Sequence, residues 1–338
     1  MTPPDVCFPQ AWRRALLLAG VVTLGLAGIV GSGGGAGGLP GDCPPGTDCG
    51  PPPPSPAAQV QPAYDTVLAG TAVTWTATAQ HLAGPLDYQW SRSSDGGTTW
   101  TDIAGATAAT YTLAGATLAD DGAQFRVTVQ GTGASAQAVA RLVVSATPGL
   151  VFEDGEMADG DWIASAVDDA NEPAPLHVET HETTGGHPDA WRRMVFTLPA
   201  GAGSGRVFYM KPAATYDPQA LGAIHVIDYA EDCIALQAST TLSTQSNLAL
   251  AQSGRRYLSN TDGVCTSTQW SAAPGRASLA AADFRLFDGP PCGVGESCPD
   301  FSPQAAPITF GYWRITFGTP GDVIGHGIDN WRVTVWPR

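Results

Sequence analysis

Residues 86–105 read LDYQWSRSSDGGTTWTDIAG and carry the clearest signal for the fold. Polar and apolar residues alternate around Trp90, which is typical of a β-strand with one buried face. The DGG sequence at 95–97 suits a tight hairpin, because glycine adopts positive φ without a steric penalty. Trp100 then opens another alternating run. The stretch therefore predicts two antiparallel strands joined by a tight turn.

Short alternating runs of the same kind continue across residues 62–146. They include TAVTWTATAQ, ATYTL, AQFRVTVQG and AQAVARLVVSA. Five or more strands at intervals of about 8–12 residues, with turns between them, indicate a small β-sandwich.

The segments YQWSRSSDGGTTWTDIAGATAATYTL and LADDGAQFRVTV resemble bacterial immunoglobulin-like domains. Trp90 stands 13 residues after Ala77, as the core tryptophan of such domains stands after their first cysteine. The two cysteine positions hold Ala77 and Val127, and Phe125 lacks the hydroxyl of a tyrosine corner. The resemblance implies an immunoglobulin-like sandwich without the inter-sheet disulfide.

Residues 93–100, SSDGGTTW, also fit the S-x-D-x-G-x-T-W Asp-box pattern of sialidase-type propellers. A propeller repeats this motif at a fixed period, and here the motif occurs once. The pattern therefore predicts a hairpin turn and not a sialidase.

Residues 148–338 contain further short, aromatic, alternating runs, among them WRRMVFTLP, GRVFYMKP and ITFGYWRITFG. No segment keeps a helical apolar period over more than a turn or two. The chain has 41 glycines, 28 prolines and 14% charged residues, which favours strands joined by turns. The predicted fold class is all-β: an immunoglobulin-like β-sandwich followed by a larger sandwich of two antiparallel sheets, a jelly roll.

The strings FEDGEMADGDW and HGIDNWRVTVW at the two ends of this region resemble those of exported jelly-roll carbohydrate-binding modules. In such modules the first and last strands pair, and acidic side chains near them hold a structural calcium ion. The matching positions are Glu153, Asp154 and Asp329. Carboxylate oxygens suit calcium. The alternative is that these are solvated acids at strand ends.

Strand alternation also predicts which side chains face a ligand. In AWRRMVFTLP, Met194, Phe196 and Leu198 share one side and suit the core, and in RVFYMKP the core residues are Phe208 and Met210. The side chains expected to point outward are those of Trp191, Arg193, Thr197, Val207, Tyr209 and Lys211.

Trp191 and Tyr209 would then form a flat platform flanked by Arg193 and Lys211. Sugar rings present apolar C–H faces edged with hydroxyls, so aromatic and charged groups together suit them. The alternatives are that a loop or layer covers the aromatics, or that the strand phase is shifted by one residue.

A histidine-rich segment, LHVETHETTGGH, offers possible metal ligands. His177, Glu179 and His181 share one strand face, with His187 six residues beyond. Ligands at i, i+2 and i+4 of a straight strand span about 13 Å, too far to reach one ion without bending. The segment also lacks the zinc-protease pattern, because Gly185 stands where a second histidine is needed.

Seven cysteines are present, and six follow the N-terminal segment. Six cysteines allow 15 connectivities. The economical pairing is Cys43–Cys49, Cys233–Cys265 and Cys292–Cys298. A zinc site is a weaker alternative, since no C-x-x-C occurs.

The N-terminal segment indicates export. Arg13 and Arg14 precede the apolar run ALLLAGVVTLGLAGIVG and the small-residue tract SGGGAGG. Residues 1–31 are therefore predicted to be a signal peptide, with cleavage after Ser32 or Ala36, and an uncleaved anchor is the alternative. Residues 32–61 are a Gly/Pro-rich linker. We expect an extracellular or cell-surface bacterial protein with no membrane span after signal cleavage.

The charge of the chain excludes one class of partner. The net charge is −15 and the 16 Lys and Arg residues are scattered, so no basic face exists for nucleic acid.

No G-x-S-x-G or E-x-D-x-x-E signature of a hydrolase occurs in the sequence. Possible carboxylate pairs of a glycan-active enzyme are drawn from Glu179, Glu182, Asp228, Glu231 and Asp232.

The favoured interpretation is a non-catalytic binding protein that binds a glycan through its C-terminal domain, with the immunoglobulin-like domain as spacer. The alternative is a structural or adhesive protein that contacts extracellular or cell-envelope proteins.

Overall fold

The alternating runs between residues 57 and 145 form eight strands in a computed structural model of the chain. Its described residues are 54–167, 174–237, 243–260, 263–272, 276–287, 289, 292–293 and 298–338. Residues Pro54–Arg338 form one compact unit. The predicted signal peptide and most of the predicted linker lie outside the described residues. In the described part of the chain, no helix is long and apolar enough to cross a membrane.

The N-terminal sandwich consists of a three-stranded and a five-stranded sheet. Its strands are β1 (Ala57–Gln61), β2 (Tyr64–Leu68), β3 (Val73–Gln80), β4 (Asp87–Ser93), β5 (Thr101–Asp102), β6 (Thr110–Leu113), β7 (Gln124–Gly131) and β8 (Ala134–Ser145), with a 3₁₀ turn at Leu118–Asp120. The sheet orders are β1-β3-β6 and β2-β8-β7-β4-β5, and β2 pairs with β8 in parallel. The predicted immunoglobulin-like sandwich is therefore present. It begins earlier than predicted, because β1 occupies the last residues of the predicted linker.

Aromatic packing replaces the missing disulfide in this sandwich. Trp75, Trp90 and Phe125 are each 0% exposed, and the Trp75 and Phe125 rings stack with centroids 4.3 Å apart. Ala77 and Val127, at the cysteine positions, are buried in the same core. Apolar burial and ring contacts together stabilise such a core.

The Asp-box segment is a hairpin turn between β4 and β5. Gly96 and Gly97 have φ values of 71° and 90°, which a residue with a Cβ rarely adopts. The Asp95 carboxylate accepts hydrogen bonds from the Thr99 backbone N–H at 2.9 Å and from the Thr99 and Ser93 hydroxyls. These bonds favour the ionised form and lower the pKa of Asp95 to about 2. The motif therefore stabilises a turn.

In its described residues, the C-terminal sandwich has two antiparallel sheets of seven strands each. Its strands are β9 (Leu150–Asp154), β10 (Ile163–Ala166), β11 (Leu176–Gly186), β12 (Asp189–Thr197), β13 (Ser204–Tyr216), β14 (Ile224–Ala235), β15 (Ser243–Gln252), β16 (Arg255–Ser259), β17 (Gly263–Cys265), β18 (Ser271–Ala272), β19 (Arg276–Leu279), β20 (Phe284–Leu286), β21 (Ile308–Phe317) and β22 (Val323–Pro337). A one-turn helix, α1 (Pro218–Leu221), and a 3₁₀ turn at Ala281–Asp283 connect strands. The all-β fold class is as predicted.

We name the two sheets after their central strands. The β22 sheet has the order β11-β12-β22-β14-β18, with β9 also paired to β22 and β19 to β14. The β21 sheet has the order β10-β13-β21-β15-β16-β20, with β17 paired to β15. The first strand of the sandwich, β9, pairs with the last, β22, as the sequence resemblance implied.

A bulge in β22 adds one residue to the strand. Residues an odd number of positions apart on either side of the bulge therefore face the same side of the sheet. Asp232 pairs with Asp329 and Ala230 with Arg332, so three steps on β22 match two on β14. Ile328 and Trp331, three residues apart, consequently both face the core between the sheets and are 0% exposed.

Strand β13 is buried on both faces, and its predicted phase was wrong. Val207 and Tyr209 lie in the core between the sheets, whereas Phe208 and Met210 pack with Trp313 in a second cluster on the opposite face. Both faces are apolar, so alternation does not reveal which one meets the other sheet.

Two of the three expected disulfides lie within the described residues, and both are present. Cys233–Cys265 joins β14 to β17 and so links the two sheets. Cys292–Cys298 closes a short loop. Cys43 and Cys49 lie outside the described residues.

The two sandwiches are in contact through polar groups. The Thr66 hydroxyl lies 3.1 Å from an Asp228 carboxylate oxygen and 2.7 Å from the Ser278 hydroxyl. The Ser145 hydroxyl donates to the Pro337 carbonyl at 3.0 Å. Strand β2 is thereby fixed against the outer face of the β22 sheet.

Candidate functional site

The outer face of the β22 sheet carries an aromatic surface built around Trp191. This residue projects from β12, on the face opposite Met194 and Phe196, as the alternation predicted. Gly327 on β22 lies beneath it: a Cβ there would stand 2.5 Å from a carbon of the Trp191 ring. The missing side chain at Gly327 therefore lets the indole lie across the sheet.

A second tryptophan completes this surface. Trp270 precedes β18, and its ring stands at 83° to that of Trp191 with centroids 5.4 Å apart. The indole N–H groups of Trp191 and Trp270 donate to the carbonyls of Thr184 and Gly185, at 3.0 and 2.8 Å. The tip of the β11–β12 hairpin therefore fixes both rings, which stay half-buried.

Charged and apolar groups surround the two indoles. Arg193 is half-buried and has no hydrogen-bond or ion-pair partner among the described residues, and Glu182 lies opposite Trp191 on β11. Further along the face, Leu176 and Val178 are 68% and 54% exposed. We call Trp191, Trp270, Arg193 and Glu182 the tryptophan surface. It combines aromatic faces with a guanidinium and a carboxylate, the groups that suit a hydroxylated ring.

The other two residues of the predicted platform lie elsewhere. Tyr209 is 0% exposed in the core and stacks on Tyr312 with centroids 4.6 Å apart. Lys211 is buried and contacts the carboxylates of Asp154 and Asp161 at 2.7 and 3.1 Å. Strand β13 belongs to the β21 sheet, so neither residue can face a ligand beside Trp191. The prediction of a platform with Tyr209 and Lys211 was wrong.

The three expected calcium ligands do not converge among the described residues. Asp154 accepts from Lys211, from the Trp162 indole at 2.9 Å and from the backbone N–H of Met157. Asp329 accepts backbone N–H groups, and burial raises its pKa. Glu153 is exposed. In the described ranges, no group of three or more His, Cys, Asp or Glu side chains is placed to hold a metal. The calcium ion stays a prediction.

The predicted histidine cluster is divided between two places. His177, Glu179 and His181 lie on the inner face of β11, opposite core residues of β12. Glu179 is bound to Arg192 at 3.0 Å, and burial raises the Glu179 pKa.

His187 lies at the hairpin tip, where its Nδ1 is 2.9 Å from an Asp232 carboxylate oxygen. The hydrogen bond and the charge of Asp232 raise the pKa of His187. Asp232 also accepts from the Asn330 amide. Metal binding by these histidines stays a prediction.

A polar cluster occupies part of the core between the sheets. Arg314 on β21 and His326 on β22 are 0% exposed, and Glu231 on β14 is 2% exposed. The Arg314 guanidinium contacts the Glu231 carboxylate at 3.1 Å and the Ser246 hydroxyl. The remaining Glu231 oxygen, both His326 nitrogens and the Tyr209 hydroxyl have no partner among the described residues. Because these groups are sealed from solvent, the cluster has no access to a substrate from outside.

Sequence reasoning missed Trp270. Trp270 sits in the polar segment TSTQWSAAP, which shows no strand alternation.

One prediction concerns the glycine beneath the indole. A Gly327→Ala variant is expected to lose about 1–3 kcal/mol of unfolding free energy, because the new Cβ must displace the Trp191 ring or the Ile234 side chain. Denaturant unfolding followed by tryptophan fluorescence measures the loss. Gly115→Ala is the matched control, since its Cβ would meet its nearest neighbour at an ordinary 3.6 Å. Equal losses in the two variants would contradict this account of Gly327.

Comparison with known proteins gives two kinds of similarity. A family model described as a domain of unknown function, DUF8696, matches residues 58–147, which is the N-terminal sandwich. No curated protein matches the chain.

Among solved structures, the chain is similar to a Dscam structure described as the structural basis for Dscam isoform specificity. The identity is 22%, the match covers 27% of this chain and 21% of that one, and the TM-score is 0.22. It is also similar to the C-terminal family 22 carbohydrate-binding module of Clostridium thermocellum Xyn10B, at 10% identity over 55% of this chain and 93% of that one, with a TM-score of 0.30. The chain thus spans about a fifth of the length of the Dscam structure. Both resemblances expected from the sequence are represented, and both are weak. They carry no argument about the ligand.

Proposed function

We propose that this chain is an exported, non-catalytic protein that binds carbohydrate on the tryptophan surface of its C-terminal sandwich. The observation that carries the proposal is the Trp191–Trp270 pair, held by the hairpin tip and flanked by Arg193, which has no partner within the described part of the chain. Aromatic rings take the apolar faces of sugars, and a guanidinium donates to their hydroxyls. The two disulfides fit an oxidising compartment.

Two features favour binding over catalysis at this surface. Glu179 and Glu231, two of the possible catalytic acids, are each bound to an arginine in the interior. Glu182, at the surface itself, accepts a hydrogen bond from Thr180 at 2.8 Å. A glycosidase needs two carboxyl groups on either side of a sugar bond in a cleft.

The test is a glycan array probed with the full chain and with a Trp191→Ala variant. We expect the variant to lose about tenfold or more in affinity for the glycans that the wild type binds, because stacking and its buried area contribute about 1.4 kcal/mol or more. Circular dichroism checks that the fold is retained. Arg193→Ala tests the same surface without removing an indole that packs on the sheet.

Trp100→Ala is the matched control, because Trp100 is a half-buried indole in the β4–β5 hairpin of the N-terminal sandwich. Affinity that is unchanged in Trp191→Ala and Arg193→Ala would contradict the proposed surface. Silence of the folded wild type across the array would favour the adhesive, protein-binding alternative.

A further inference from the structure

A cleft of about 910 Å³ lies between the two sandwiches, on the outer face of the β22 sheet. One wall is formed by residues 61–66 of the N-terminal sandwich, including the start of β2. The other wall comes from β9, β14 and β22 and includes Val151, Asp228, Arg332, Thr334 and Trp336. A cleft of this size, at a junction between domains, is typical of a ligand site.

The lining of the cleft matches that of the tryptophan surface in chemistry. Tyr64 is 55% exposed and Trp336 is half-buried, so aromatic side chains stand on both walls. Asp65 and Arg332 add a carboxylate and a guanidinium. Burial, together with repulsion by Asp228, raises the pKa of Asp65. A carboxylate held partly out of water accepts hydrogen bonds from hydroxyls more strongly than a solvated one.

The cleft is held in shape by hydrogen bonds across the junction. Asp228 accepts from the Thr66 hydroxyl, from the Ser278 backbone N–H at 2.6 Å and from the Trp336 indole at 2.7 Å. Both walls are thus fixed to one carboxylate, which leaves Asp228 as a positioning group and Asp65 as an acceptor for a ligand.

A second depression adjoins the cleft at Arg332. It measures about 420 Å³ and is lined by Glu153, Gly155, Asn330 and Arg332, among others, and Arg332 also lines the cleft. Asn330 in turn contacts the Asp232 carboxylate, which holds His187 at the hairpin tip. In order along β22, Gly327 lies under Trp191, residues 330–332 line the second depression, and Arg332, Thr334 and Trp336 line the cleft.

The length of this path is set by the strand. Gly327 lies under Trp191, and Thr334 and Trp336 line the cleft, so the two sites are seven to nine residues apart on β22. At about 3.3 Å per residue the separation is about 20–30 Å. That distance exceeds one sugar ring and is within reach of a chain of several rings.

We infer that the N-terminal sandwich contributes a second sugar-binding subsite, and that the ligand is a polysaccharide chain lying along β22 from the tryptophan surface to the cleft. This inference rests on the proposed function and adds the ligand class to it. It also changes the role of the N-terminal sandwich from spacer to part of the binding site.

Charge along the path selects a neutral chain. Among the described residues, the cleft and the second depression are lined by four carboxylates, those of Asp65, Asp228, Glu153 and Asp154, and by the guanidinium of Arg332. Asp154 is paired with Lys211, and the tryptophan surface adds one charge of each sign. The whole chain carries a net charge of −15. A polymer of uronic acids or sulfated sugars would be repelled, whereas hydroxyl groups can donate to the carboxylates of Asp65 and Glu153.

The experiment measures affinity against ligand length by titration calorimetry on the full chain. The probes are β-1,4-linked glucose, xylose and mannose oligosaccharides, from disaccharides to decasaccharides, with oligogalacturonates as the acidic counterpart. The variants are Tyr64→Ala and Asp65→Asn. Val139→Ala is the control, since Val139 is 43% exposed on β8 of the same sandwich and does not line the cleft.

We expect affinity to rise with length for at least one neutral series and not for oligogalacturonates. Tyr64→Ala should lower the affinity for the longest oligosaccharide by about three- to tenfold and leave that for the shortest unchanged, because stacking on one ring contributes about that factor. Asp65→Asn should act in the same direction, and Val139→Ala should change nothing.

The outcomes separate this inference from the proposed function. Loss of binding in Trp191→Ala, with full length dependence retained in Tyr64→Ala, would overturn the cleft subsite and leave the tryptophan surface standing. Loss in Tyr64→Ala without loss in Trp191→Ala would overturn the tryptophan surface and keep the cleft. Tighter binding of oligogalacturonates than of neutral chains would refute the ligand class, and no binding by the wild type would refute both proposals.

Discussion

A Glu231→Ala variant is expected to lose about 3–5 kcal/mol of unfolding free energy, enough to unfold a marginally stable sandwich. Arg314 is completely buried, and Glu231 is its ion-pair partner. Removing the carboxylate leaves a guanidinium out of water with no counter-charge, which costs far more than the pair itself contributes. Denaturant unfolding of the full chain, followed by circular dichroism, measures the loss.

Two further variants show whether the unpaired charge is the cause. Glu153→Ala removes an exposed carboxylate from β9 and should change the stability by less than about 0.5 kcal/mol. The double variant Glu231→Ala, Arg314→Met should recover most of the stability that Glu231→Ala loses, because the buried charge is gone as well. If the double variant is no more stable than Glu231→Ala, the loss comes from packing and not from charge.

Acidification is expected to destabilise the chain through His326, which is completely buried on β22. Burial, and then the charge of Arg314, lower the pKa of His326 well below its usual value. Below about pH 6.5 the unfolded chain binds a proton at this position and the folded chain does not, so falling pH favours unfolding. The loss should be about 1 kcal/mol from pH 6.5 to 5.5, then about 1.4 kcal/mol per unit down to the folded-state pKa.

The measurement is the pH dependence of the unfolding free energy for the wild type and a His326→Phe variant. Phenylalanine keeps a ring to stack on Phe196, as His326 does with centroids 5.1 Å apart, and removes the titrating group. His81→Gln is the control, because His81 is exposed on the N-terminal sandwich. A His326→Phe curve that falls as steeply below pH 6.5 as the wild type would show that other groups govern the acid response.

The alternation of apolar and polar residues predicted correctly which side chains are buried where one face of a strand meets water. Strand β12 alternates buried and half-buried positions, so Met194 and Phe196 were assigned to the core and Trp191 to the outside correctly. Turn chemistry at Asp95 and the two following glycines was equally readable, since it depends on neighbours in sequence.

The pattern failed where both faces of a strand are covered. Tyr209 was assigned to a ligand face because the apolar cluster around Phe208 and Trp313 gives β13 a second buried side. Lys211 was misassigned because its partner, Asp154, lies 57 residues away in sequence. The cleft between the sandwiches was also out of reach, since it depends on how β2 docks on the β22 sheet and not on any local period.

The position of β22 in its sheet has a consequence for synthesis. This strand pairs with β12, β9 and β14, yet it occupies residues 323–337. The N-terminal sandwich can close once residue 145 has emerged from the ribosome. The C-terminal sandwich must wait for nearly two hundred more residues, and the edges of β12 and β14 that pair with β22 stay unpaired until then. Folding during synthesis is thus a two-stage process: the N-terminal sandwich closes first, and the C-terminal sandwich stays incomplete until β22, the central strand of its sheet, has been made.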